Sequence, residues 1–144
     1  MKTTIRLTLI CVALLLSAKA VHAQTGPYSF FAITPCRAVD TRGGSPFTSG
    51  QQRSFPIRGV CGVPTTAAAV SINVTVTGAT ASSFLTVWPT GGARPNVSTI
   101  NFTGADQALA NGAIVGLGTA PNDLSVFNST GNVHVLIDVT GYFQ

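Results

Sequence analysis

Ala67-Ala-Ala-Val-Ser-Ile-Asn-Val-Thr-Val-Thr77 decides the reading of this chain. Val70, Ile72, Val74 and Val76 occupy alternate positions, with Ser71, Asn73, Thr75 and Thr77 between them. Side chains two apart share one face of an extended chain, so the run predicts a half-buried β-strand. Its β-branched residues suit a pleated surface and disfavour a helix. Val133-His-Val-Leu-Ile-Asp-Val139 has the same quality near the other end. These two segments are the expected central strands.

Shorter segments surround them. Tyr28–Ile33 predicts a first strand ended by Thr34-Pro35, and Cys36–Asp40 predicts a second, short one. Arg53–Ile57 reads as an edge strand, because Pro56 cannot donate to a ladder. Phe84–Trp88, Val97–Phe102, Ala113–Leu117 and Leu124–Phe127 also read as strands. Ala108–Gly112 suggests a helical turn, or a chain reversal at Asn111-Gly112. No long segment repeats apolar residues at helical spacing. Many short strands punctuated by Gly, Pro and Asn predict an all-β fold: a single-domain antiparallel β-sandwich, with a closed β-barrel as the alternative. There is no internal repeat and no interdomain linker.

Residues 1–23 have the form of a secretory signal peptide. Lys2 and Arg6 precede an apolar run from Leu7 to Leu16, and Val21-His-Ala23 offers small residues for cleavage. Residues 24–144 then form the domain, with no membrane span after cleavage. All lysines leave with the signal, and glutamate is absent throughout. Five arginines against four aspartates leave a net charge near +1. No basic patch for nucleic acid or anionic lipid is evident in that balance. Export implies an oxidising compartment, so the two remaining cysteines, Cys36 and Cys61, are expected to pair.

Pro35-Cys-Arg-Ala-Val-Asp-Thr-Arg42, Cys61-Gly-Val-Pro64, Ala69–Thr75, Leu85-Thr-Val-Trp-Pro89, Ser98-Thr-Ile-Asn-Phe102, Ala110–Val115 and Ile137-Asp-Val-Thr-Gly-Tyr-Phe143 together form a pattern. It resembles a secreted β-rich module of acidobacterial and actinobacterial extracellular proteins. The resemblance spans nearly all of the chain beyond the signal. It implies a β-rich fold and an extracellular location, and brings no activity with it.

Few residues suggest chemistry. Asp40 and Asp138, with Arg37 and Arg42, are expected to form structural ion pairs joining the first and last strands. Four scattered aspartates poorly supply the carboxylate pair of a glycosidase, and no calcium-loop spacing occurs. His134 lacks the serine elbow that a hydrolase would need. Neither a metal nor a cofactor is expected. Trp88 at a strand end could offer a stacking surface to a sugar, and Asn73, Asn101 and Asn111 could hydrogen-bond one. The expected function is a non-catalytic secreted binding or adhesion module, acting at the cell envelope or on extracellular glycan. The alternative is a self-assembling structural subunit of a surface layer, filament or matrix; a secreted hydrolase ranks last.

Overall fold

A computed structural model describes residues 26–104, 108–119 and 121–144. The expected signal peptide therefore lies outside the described residues. Eight strands follow in order: β1 (Phe30–Asp40), β2 (Gln52–Phe55), β3 (Ala69–Thr77), β4 (Ser83–Pro89), β5 (Ile100–Phe102), β6 (Leu109–Gly116), β7 (Leu124–Asn128) and β8 (His134–Phe143). No helix occurs among the described residues.

The strands form two antiparallel four-stranded sheets, ordered β1-β8-β3-β6 and β2-β7-β4-β5. The arrangement is a β-sandwich; the two sheets do not close into the alternative barrel. The expected central strands β3 and β8 are neighbours in the middle of the first sheet. Val70, Ile72, Val74 and Val76 of β3 and Val135, Ile137 and Val139 of β8 face inward. They meet Leu85, Val87, Leu124 and Val126 of the opposing sheet in one apolar cluster. The alternation of β3 thus fixes which face is core, since a slip of one residue would turn every valine outward.

Two of the strand boundaries that differ from the sequence reading have a clear physical cause. β1 does not stop at Thr34-Pro35; it runs from Phe30 to Asp40 with irregularities against β8 between Ala32 and Cys36 and between Arg37 and Val39. Its place at the sheet edge explains this, because a proline there forfeits no ladder bond inside the sheet. Likewise, Asn111-Gly112 neither reverses the chain nor belongs to a helical turn. Both residues lie inside β6, paired residue for residue with β3 from Ala69↔Gly116 to Val76↔Leu109. The long alternating strand supplies a complete partner, and that tertiary pairing overrides a local turn preference.

Loops are held by covalent and polar ties. Cys36 of β1 and Cys61, in the loop before β3, are disulfide-bonded with Cα atoms 5.6 Å apart. Asp123 accepts the backbone N–H groups of Ile57 and Arg58 at 2.7 Å each and the guanidinium of Arg58. Arg58 also donates to the carbonyls of Ala67 (3.0 Å) and Gly118 (2.9 Å). Asn128 is fully buried: its amide donates to the carbonyls of Thr48, Thr130 and Gly131, and its oxygen accepts from Ser83.

Candidate binding face

The register of the first sheet lays one row of residues across its outer face. Arg37 of β1 pairs with Asp138 of β8, Asp138 with Asn73 of β3, and Asn73 with Gly112 of β6. The row runs from a charged end, through an amide, to a position with no side chain. Neighbouring rows place Thr75 beside Ala110, and Ser71 beside Ile114. Ser71 and Thr140 hydroxyls lie 2.9 Å apart.

At the charged end, Arg37 grips Asp138 with Nε (2.7 Å) and Nη2 (3.0 Å) on its two carboxylate oxygens. Arg42 grips Asp40 through its side chain and through its backbone N–H. These donors, the Arg42 side chain foremost, hold the Asp40 carboxyl below the usual carboxylate range. Both pairs lie on the outer face of the sandwich: Asp40 and Asp138 alternate with inward Val39, Ile137 and Val139, and the irregularity between Arg37 and Val39 turns Arg37 outward opposite Asp138. Solvent screens them there.

At the other end lies an open depression of about 510 Å³, lined by Ser71, Asn73, Gly112, Ala113, Ile114 and Thr140 with part of Ile72. Its shape follows from Gly112: a Cβ built there would meet nothing within 4 Å. Ile114 forms an apolar rim and is 68 % exposed. The amide of Asn73 sits at the edge and donates to Thr75 Oγ1 at 3.3 Å. Hydroxyls and an amide around an apolar rim can hydrogen-bond a neutral polar ligand and cover part of its hydrocarbon surface.

The other sheet presents a different exterior. The loop from β4 to β5 folds back over it. Thr86 donates to the Val97 carbonyl (2.7 Å), Trp88 Nε1 donates to the Gly92 carbonyl (3.2 Å), and the Arg94 guanidinium stands 4.0 Å above the Phe127 ring. Trp88 is consequently only 4 % exposed. Its ring is a surface for this loop, not the sugar-stacking platform suggested by its place before Pro89. A smaller depression of about 270 Å³ lies beside the loop, lined by Phe84, Asn96, Val97, Ser98 and Asn101.

The structure therefore separates the four residues singled out for ligand contact. Asn73 belongs to the first depression and Asn101 to the second, where its amide donates to Ser98 Oγ at 3.0 Å. Asn111 is exposed at the sheet edge and donates to the Thr99 carbonyl at 2.7 Å, tying β6 to the chain before β5. Trp88 is in neither depression. Gly112 and Ile114 shape the first depression, and sequence reading missed both. Once β6 is placed as an edge strand beside β3, period-two counting from Asn73 finds them.

His134 Nδ1 lies 3.0 Å from the carbonyl oxygen of Thr41, whose hydroxyl accepts the Val135 N–H. Among the described residues no three histidine, cysteine or acidic side chains cluster as a metal would need. Comparison of the chain with protein-family models and with curated protein sequences gives no match.

Proposed function

We propose that this protein is a non-catalytic secreted binding module that attaches to neutral glycan at the cell envelope, using the outer face of β1-β8-β3-β6. The observation that carries the proposal is the open depression over Gly112, walled by Ser71, Asn73 and Thr140 and rimmed by Ile114. Sugars offer many hydroxyls and apolar C–H faces, and this lining matches both. The depression is shallow and open at its ends, which suits a chain lying across a surface better than an engulfed small molecule. The neighbouring charges support a neutral ligand, because Arg37 and Asp138 neutralise each other. The signal-like leader and the disulfide support export.

The test is retention on insoluble cell-wall polysaccharides, with Asn73→Ala and Gly112→Val as the variants. A Cβ at 112 meets no atom within 4 Å, so a side chain there extends into the depression. Retention of the wild type, reduced at least tenfold in both folded variants, supports the proposal. Equal retention of all three proteins removes this face from consideration.

A further inference from the structure

The four sheet edges are unequally guarded. β2 and β5 are edges of four and three residues, too short to template much pairing. β1 is long, but it carries Pro35, two irregularities and the charges of Arg37 and Asp40. Short length, proline, bulges and charge are the devices that keep exposed edges from pairing. β6 has none of them. Its eight residues, Leu-Ala-Asn-Gly-Ala-Ile-Val-Gly, are uncharged and free of proline. Its pairing with β3 runs without a break.

Register identifies the backbone groups that β6 presents outward. The Leu117 N–H donates to the Ala68 carbonyl at 2.8 Å, which puts Leu117 at a hydrogen-bonded pair position of this ladder, while the Ala68 N–H turns to the Phe143 carbonyl. In an antiparallel ladder such pairs alternate with pairs whose N–H and C=O groups point away from each other. Counting back by twos, Val115, Ala113 and Asn111 spend their backbone groups on β3. Ile114, Gly112 and Ala110 direct theirs to the open edge. Their side chains lie on the outer face, beside Ser71, Asn73 and Thr75.

We propose that β6 is a self-recognition edge, along which two copies of this chain pair antiparallel about a two-fold axis at Gly112. Gly112 then faces Gly112 of the second copy, and each Ile114 faces the other copy's Ala110. The outward N–H and C=O groups of all three residues find partners in that register. Side-chain size is complementary in the same register: the exposed Ile114 meets a small residue directly opposite, and the gap at Gly112 lies diagonally within its reach. Two-fold contacts set a surface against itself, so a charged edge would repel its copy. The uncharged β6 has no such penalty, and in the row through Gly112 the charges lie on β8 and β1, at Asp138 and Arg37. These features fit a second copy better than a charged peptide. The result is a closed pair with a continuous eight-stranded sheet, unable to grow through β6 into a filament. It does not depend on glycan binding.

Sedimentation equilibrium of the disulfide-intact protein, without added polysaccharide, tests this with Gly112→Pro and Ile114→Arg. Proline at 112 removes an outward N–H and leaves the bonds to β3 in place. Arginine at 114 removes the apolar contact with the second copy's Ala110 and sets a charge on the pairing edge. A concentration-dependent wild-type dimer is expected, with the dissociation constant raised at least tenfold in both variants. Should Gly112→Pro fail to fold, Ile114→Arg carries the comparison alone. A wild type that stays monomeric at millimolar concentration overturns the proposal. So does a dimer equally tight in the folded variants, or assembly beyond the dimer that these substitutions dissolve. Polysaccharide retention by a strictly monomeric wild type would leave the glycan proposal standing while removing this one.

Discussion

Asp123 and Arg58 form an ion pair whose carboxylate side chain is 3 % exposed and whose guanidinium side chain is 19 % exposed. The same carboxylate caps two backbone N–H groups, and the same guanidinium binds two carbonyls. Four chain segments, around Ile57, Ala67, Gly118 and Asp123, therefore converge on one pair of side chains.

Asp123→Ala is expected to destabilise the fold by about 3–5 kcal/mol, because it leaves a largely buried guanidinium and the N–H groups of Ile57 and Arg58 without their acceptor. Arg37→Ala, which breaks the screened pair with Asp138, should cost far less. Urea denaturation of both variants provides the check. Equal losses would mean that burial does not rank these pairs.

Ile72 is 2 % exposed at the centre of β3. Ile72→Ala should lower stability by about 2–5 kcal/mol, the sum of lost transfer energy and an incompletely collapsed cavity. A midpoint shift in chemical denaturation measures it. A loss within the roughly 0.5 kcal/mol scatter of surface positions would contradict the packing.

The disulfide joins residues 25 apart in sequence. Closing a loop of that length restricts the unfolded chain by about 3–4 kcal/mol in the entropy model. Paired denaturation curves with and without reductant should show a loss of that order. Thiol titration of the unfolded, unreduced protein should find neither Cys36 nor Cys61 reactive.

Acid should act on Asp40 in a definite direction. Its folded pKa lies below the unfolded value of about 3.9. The pair with Arg42 thus stabilises the fold fully above that value, and the contribution disappears as pH falls through the lower folded pKa. Thermal melts of the wild type and Asp40→Asn should differ by a constant margin from pH 5 to 8 and converge below about pH 4. Divergence on acidification would be the opposite sign.

The parts legible in the sequence were those governed by period. β3 and β8 could be read because burial on one face forces strict alternation, and the pairing of Cys36 with Cys61 followed from export and the count of cysteines. What escaped were features decided by distant partners. Pro35 continues a strand because β1 happens to be an edge. Asn111-Gly112 stays extended because β3 lies alongside. Trp88 is buried because a loop returns over it, bringing the Gly92 carbonyl to its indole. Asp123 meets Arg58 across 65 residues of sequence, and no local pattern marks either one.

The chain ends of the sandwich bear on how it would carry load. Ser29 and Gln144 exchange both backbone hydrogen bonds, at 2.9 and 3.1 Å, so β1 and β8 leave the domain side by side at one pole. Tension applied through these two ends would not shear the sheet. It would open the β1–β8 seam like a zipper, one pair at a time, beginning with Ser29 and Gln144 and then Phe30 and Phe143. Cys36 sits only a few residues along that seam and is covalently anchored to Cys61. Peeling therefore halts at the sulfur bridge. Pulled from its ends, the domain would yield a short fixed length of slack, after which the force would pass through the disulfide to the segment leading into β3.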